Sequence, residues 1–394
     1  MTDTIVRVAA RGDGVTSNGR HAAFAAPGDT LTETGEVIPG PHHQVPPCRH
    51  FPACGGCQLQ HLDDAAYARF LIDRIAGALA AQGLEAPIRT PVLSPPRSRR
   101  RAALQAEMRE GRVWIGFSEN ASHAIVDLLE CHVLTPKLFA ILAPLRKLLA
   151  AWLKKGRRAR LHLTEADQGV DLLIESVEAE GLSAAEAITA FAQANGVARL
   201  SIDSGLGPET RWEPEPVTIT LGGVPVPMPP AAFLQATREG EDALVTAVRE
   251  GAGAARTTAD LFAGLGTFAL SLSGKVYAGE AARDAVLSLK AAAARTGRAV
   301  FAEHRDLFRR PLTSGECDRF DCVVLDPPRA GAHEQSLQLA QSKVPVIVYV
   351  SCNPSSFARD AELLCKAGYR IDWVQPVGQF RWSTHVELVA RLSR

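Results

Sequence analysis

The chain has 394 residues, 46% hydrophobic and 22% charged, an ordinary soluble composition with room for two or three domains, each with its own core. Its 43 basic and 43 acidic residues cancel, so no whole-molecule field announces a polyanionic partner, and any nucleic-acid contact has to come from local patches. The opening Met1-Thr2-Asp3-Thr4 leads into no apolar core, and no later stretch is apolar enough to span a membrane. A cytoplasmic protein is therefore expected, with its eight cysteines as thiols, metal ligands or catalysts rather than a disulfide framework.

Residues 4 to about 40 alternate in short runs broken by Gly, Asp, Asn and Pro, which predicts a small all-β unit over 1–47 that ends in the linker GPHHQVPP. CRHFPACGGCQLQH follows, with Cys48, Cys54 and Cys57 closely spaced around a Gly-Gly pair that permits a tight wrap; the next cysteine is Cys131, in DLLECHVL. Soft thiolates at this density suit zinc or an iron–sulfur cluster. Paired C-x2-C knuckles are absent and a distant fourth ligand fits a cubane better, while zinc stays open as the alternative. Ala66, Phe70, Ile75 and Leu79 keep near-helical spacing from Asp63 to Gln82, with Gly83 as a stop.

From about 100 to 225, strand-like pieces (VWIGF, RLHLTEA, VDLLIES) alternate with helices, clearest at Leu138 to Leu153 and Ala184 to Ala194. This predicts an α+β middle domain over 48–228. Two basic runs lie in it, Arg97 to Arg101 and Lys154 to Arg160. Such runs are usually solvated faces; a pair of them in a base-modifying enzyme reads as a track for RNA phosphates.

From Pro229 to the end, TADLF, KVYAGE, AVFAE, DCVVLDPP, VPVIVYVSC, IDWVQPV and HVELVARL read as strands, most of them separated by helical pieces. This is the pattern of an α/β, doubly wound, Rossmann-like sheet. Only GQFRWST separates the last two strands, so the final one should pair antiparallel. In ADLFAGLGTFAL a strand runs into Gly264 and Gly266 and then into an expected helix, and Glu280 ends the next strand, placed for the two hydroxyls of a ribose. That combination suits a dinucleotide or S-adenosylmethionine (SAM) equally. Asp326-Pro327-Pro328 ends another buried strand with a rigid turn aimed at the same carboxyl edge.

Cys352 ends the apolar run Val344 to Val350, just before Asn353 as an N-cap and Pro354 at the first helical position. Alone, the stretch reads equally as a buried core cysteine or as a thiolate favoured by a helix N-terminus. Methylating carbon 5 of uracil needs a thiolate to add at C6, a base to take the C5 proton and a SAM loop. Cys352 supplies the first; His385 and Glu387, on one face of the last strand, offer the base. Cys317, Cys322 and Cys365 have ordinary loop, core and helix-face explanations.

CRHFPACGGCQLQH, FLQATREGEDALV, DLFAGLGTFAL, LDPPRAG, VSCNPSSFARD and HVEL, in this order along nearly the whole chain, resemble the bacterial RNA uracil-5-methyltransferases, in particular the iron–sulfur branch acting on 23S ribosomal RNA. The resemblance implies a SAM-dependent methyltransferase domain over 229–394 and an RNA-binding middle domain. It implies a [4Fe-4S] cluster on Cys48, Cys54, Cys57 and Cys131, Cys352 as nucleophile and Glu387 as base. It places SAM against Gln235, Phe262, Thr267, Glu280 and Asp306, with Asp326 between SAM and uracil. Thr267 stands where the family usually has Asn, Ala-Thr follows F-x-Q in place of Val-Asn, and the N-terminal unit is shorter than the family's TRAM barrel. A monomer is expected, acting on large-subunit ribosomal RNA. The rivals are a transfer-RNA enzyme, an inactive iron–sulfur RNA-binding protein and a nicotinamide-dependent oxidoreductase; the last would leave Cys352 and DPPR without a role.

Overall fold

The computed structural model describes residues 2–120 and 122–394. The seven strands expected after residue 229 form one sheet, in the order Val300–His304, Lys275–Glu280, Thr257–Leu261, Cys322–Leu325, Val346–Ser351, Glu387–Ser393 and Arg370–Gly378. The first five run parallel. Glu387–Ser393 runs antiparallel to both its neighbours, as the short connection before it predicts. The apolar runs are continuous because both faces are covered. Val323, Leu325, Ile347 and Tyr349 point into one core, while Cys322, Val324, Val348 and Val350 point into the other, with the period of two that a strand imposes.

The chain order reverses between Thr257–Leu261 and Cys322–Leu325, and the carboxyl ends of these strands open a crevice there, where open α/β sheets bind ligands. On one face lie Arg238–Ala252 and Arg283–Thr296, on the other Pro354–Lys366. Asn353 caps this last helix, its side-chain oxygen accepting the Ser355 N–H at 3.1 Å, with Pro354 at the first turn as expected.

Two expectations need correction here. The helix Asp64–Ala80, assigned by sequence to a middle domain over 48–228, buries Tyr67, Phe70, Leu71, Ile75 and Leu79 in the core of the C-terminal sheet, against Pro354–Lys366. The two-residue strand Val92–Leu93 then pairs with Val377 and Gly378 as the eighth strand. The run from 48 to 228 is therefore not one block. Secondly, the helix expected after the glycine loop is a succession of turns between Gly264 and Ser271, held by bonds such as Gly266 N to Ala263 O and Leu272 N to Phe268 O. Asp260 takes part in holding it, accepting the Ala269 N–H at 2.8 Å.

The middle unit is a six-stranded sheet ordered Glu209–Trp212, Val197–Asp203, Val170–Glu175, Arg158–Glu165, Arg101–Arg109, Arg112–Gly116. Leu138 to Leu153 resolves into two shorter helices, Pro136–Ala140 and Leu142–Leu149, and Gly181–Ala194 is close to its expected span. The N-terminal unit is a five-stranded antiparallel sheet of short strands around Ile5, Ala22, Ala25 and Leu31. Among the described residues no helix is long and apolar enough to cross a membrane.

Candidate active site and cysteine cavity

The crevice at the carboxyl edge is a cavity of about 690 Å³, within the size range of small-molecule sites. Its walls bring together Gln235, Phe262, Gly264, Thr267, Glu280, Asp326, Cys352, His385 and Glu387, all singled out by sequence, and add Phe233, Arg329, Gln379 and Phe380. Cys352 follows Val346–Ser351, and Glu387 opens its antiparallel neighbour. The ladder pairs Ser351 with Leu388, so one further step sets Cys352 across from Glu387, where opposite residues share a face.

The glycine loop is held by Glu280. One carboxylate oxygen accepts the Gly264 N–H at 2.9 Å, the other the Ala282 N–H at 2.6 Å. A carboxylate has about four acceptor positions, so two remain for a ligand's hydroxyls. Phe262 sits at φ +65, its N–H donating to Gly279 O; a bulky residue in this region is an outlier that a surrounding structure must impose. Gly266 has φ +96, and a Cβ there would meet Leu289 Cδ1 at 2.4 Å. It serves close packing and does not line the cavity. Asp306 is also outside the cavity wall: its Oδ1 accepts the N–H groups of Phe308 and Arg309, and its carboxylate pairs with Arg309 at 3.5 Å.

Burial dominates the electrostatics. It pushes Asp326 up to about 7, with Glu280 adding to the shift, and Glu387 up to about 8, with Asp326 adding. Asp260, beneath the loop, is raised to about 8 by burial and by Asp326, and its Oδ1 finds no partner among the described residues. Cys352 is raised to about 11, first by burial and then by Glu387 and Asp326, against a smaller opposing pull from Arg329. Burial thus opposes the thiolate form of Cys352, one of the two readings that its sequence context left open. Gln379 ties the walls together: its Oε1 accepts the Ala236 N–H at 3.0 Å and its Nε2 donates to Gln235 Oε1 at 2.9 Å. Sequence reading missed it, the only signal being its place just after a strand.

A second, smaller cavity is lined by Cys48, Cys54, Cys57 and Cys131 together, with Phe51, Gln60, Phe117 and Val133. Cys131 arrives from the segment that follows the hairpin Arg101–Gly116, far along the chain. The wrap does use the glycines: a Cβ on Gly55 would meet Ser118 O at 2.8 Å, and one on Gly56 would meet the Phe117 ring at 3.1 Å. Burial raises Cys54 to about 11 and Cys57 to about 12. The four thiols share this lining without closing to ligand geometry; among the described residues no three His, Cys, Asp or Glu side chains do so.

The two basic runs part ways. Arg100 is 1% exposed, its guanidinium in an ion pair with Glu241 at 2.6 Å, and Arg101 lines the large cavity, stacked 4.6 Å from the exposed ring of Phe233. Arg97 to Arg101 is therefore not an outward phosphate track. Lys154, Lys155 and Arg157 are exposed.

Comparison with known proteins bears on the family and the fold. Residues 244–394 match the family model of tRNA (uracil-5-)-methyltransferases. The chain is 53% identical, over 99% of both chains, to an uncharacterized RNA methyltransferase of Zymomonas mobilis. It is 34% identical to the 23S rRNA (uracil(1939)-C(5))-methyltransferase RlmD of Halomonas elongata, over 89% of this chain and 77% of that one. Among solved structures, the Pyrococcus abyssi tRNA (uracil-54, C5)-methyltransferase bound to S-adenosyl-L-homocysteine superposes with a TM-score of 0.73 over 100% of both chains at 24% identity, which shows a common fold.

Proposed function

The chain belongs to the RNA uracil-5-methyltransferase family, and on that premise we propose that it methylates C5 of a uridine in large-subunit ribosomal RNA through Cys352 and Glu387. When bound, SAM supplies a methyl group activated on a sulfonium. The chain's own task is to make an unreactive carbon nucleophilic. Cys352, as thiolate, adds to C6, and the ring's displaced electron pair makes C5 able to accept the methyl group. Glu387 then takes the C5 proton, the C5–C6 double bond re-forms, and the C6–S bond breaks to return the thiolate. Gln235, Phe262, Gly264, Thr267 and Glu280 surround the cofactor in this reading, with Asp326 between cofactor and base; Gly266 supports the turn.

The observation that carries the proposal is the meeting of Cys352 and Glu387, from adjacent antiparallel strands, in one cavity facing the glycine loop. A base inside a stem must leave its stack to reach them. The test is trapping: purified enzyme, labelled SAM and RNA carrying 5-fluorouridine. Fluorine at C5 cannot leave as a proton, so a covalent protein–RNA adduct accumulates, and Cys352→Ala forms none. An adduct in that variant would dismiss the nucleophile. Ribosomal and transfer RNA fragments, run as separate arms, identify the substrate class.

The four cysteines support a [4Fe-4S] cluster, with zinc as the alternative. The fit rests on the donor set: four thiols around one cavity, two of them 8% exposed, wrapped by a Gly-Gly turn where a Cβ on Gly55 would strike backbone and one on Gly56 would crowd the Phe117 ring. Such a cluster would bind two distant chain segments into one unit. Iron content and a broad visible absorption in anaerobically purified protein, both lost in Cys54→Ser, support iron–sulfur; zinc without colour overturns it.

A further inference from the structure

The two cavities are joined by one short connection, residues 379–386 between the last two strands. Its outer ends face the catalytic cavity, through Gln379, Phe380 and His385, and it runs directly into Glu387. Its middle faces the other way. Trp382 is 4% exposed and packs with Cys57, Cys131 and Val133 in a small apolar cluster. The Trp382 carbonyl accepts two N–H groups, from Gln58 and Leu59, each at 2.8 Å. These are the two residues after Cys57, so the connection is stitched to the cysteine segment itself.

Two features of Trp382 have no explanation in packing alone. Its φ is +58, a conformation that an aromatic residue adopts only when its surroundings impose it. Its indole N–H is buried and meets no acceptor among the described residues. A buried donor without a partner is uncommon enough to point to an acceptor that the protein atoms do not supply. The neighbouring groups are thiols, and sulfur is an acceptor for N–H donors. Arg99 repeats the connection in another form: its guanidinium lies 5.5 Å from the Phe117 ring, on the cysteine side, and 5.4 Å from the Phe380 ring, on the catalytic side.

We propose that Trp382 is a positioning residue: its indole N–H hydrogen-bonds to a sulfur of the metal group held by Cys48, Cys54, Cys57 and Cys131, and this bond fixes the 379–386 connection so that Gln379, Phe380 and Glu387 stand correctly in the catalytic cavity. The inference rests on the four-cysteine reading above. It gives the metal group a task in methyl transfer with no part in the chemistry, by holding the segment that leads into the base. Further anchors of the connection, among them Tyr67 Oη donating to Phe380 O at 3.0 Å, Arg381 donating to Ser94 O at 3.1 Å and the Gln379 bonds to Ala236 and Gln235, fasten it to the catalytic layer.

The experiment uses the full chain in its metal-loaded form. Trp382→Phe keeps an aromatic ring and removes the N–H. Expected are a metal content equal to wild type at saturation, release to a chelator about tenfold faster, a shifted visible absorption, and a loss in kcat with the KM for SAM unchanged. Hydrogen exchange reads the coupling without any mutation: stripping metal from the wild-type chain should deprotect amides of 379–387 while those of Val346–Ser351 keep their protection. If the variant releases metal at the wild-type rate, or 379–387 exchange alike with and without metal, the coupling is overturned and the four-cysteine site survives. A purified protein with neither iron nor zinc overturns both.

Discussion

The catalytic cavity and the cysteine cavity are both built by burying groups that prefer to ionise, yet they use burial in opposite ways. In the first, burial raises Asp326, Glu387 and Cys352 around some 690 Å³ of open space and Asp260 beneath the loop, with Glu280 adding to Asp326, and Asp326 adding to Asp260, Glu387 and Cys352. Such mutually opposed carboxylates are poised to respond to an incoming cation or to a proton. In the second, the thiols are raised mainly by burial in a narrow lining of apolar side chains, and only a soft metal would draw their protons off together. On the proposed reading, the same physical device yields one site that exchanges its contents and another that would keep a metal group in place.

The contrast can be broken most severely at the base. Glu387→Gln retains the shape of the side chain, exchanges one acceptor oxygen for an NH2 donor and cannot take the C5 proton. Turnover should fall by roughly 10²- to 10⁴-fold, and ordinary uridine RNA should now accumulate as a covalent adduct on denaturing gels. Metal content should not change. If the adduct is absent and turnover is near normal, another base serves the reaction.

Cys57→Ser tests the other cavity. If the proposed metal group is present, it should be lost and thermal stability should fall, because the binding energy of a structural metal is folding energy. Glu387→Gln and Cys57→Ser should therefore separate cleanly in a two-way assay of metal content and adduct formation. A variant lacking Cys57 that retains a full complement of metal would remove that residue from the ligand set.

A smaller effect lies in the pH dependence of stability without ligand. Asp260, Asp326 and Glu387 have folded-state values raised to about 8, 7 and 8. The folded protein therefore binds more protons than the unfolded chain between the ordinary carboxylate range and pH 8. Stability from these groups is complete at the acid end and is lost as pH rises through that window. The melting temperature of the ligand-free protein should decline towards pH 8, and Asp326→Asn should flatten the decline. Identical slopes in variant and wild type would show that these carboxylates ionise freely.

Much of the fold was legible because the strands of the C-terminal sheet are β-branched runs covered on both faces, and because Asn353-Pro354 punctuates the Cys352 turn. The glycine loop misled: LGTFAL is apolar at helical spacing, but Asp260 caps a chain of turns instead. RSRRR misled for a different reason. Charge density says nothing of direction, and the chain buries Arg100 against Glu241, a partner 141 positions away. Val92–Leu93 was illegible because two residues carry no periodicity. Trp382 carries no signal in sequence either, since its meaning lies in what it fails to bond to.

The helix Asp64–Ala80 and the strand Val92–Leu93 fill the core and edge of a sheet whose remaining strands lie near the other end of the chain. During synthesis these early segments emerge with their apolar partners still unmade. Tyr67, Phe70, Leu71 and Ile75 must wait for Arg370–Gly378, nearly 300 residues later. The sheet is consequently completed by segments made about 300 residues after the helix that packs against it.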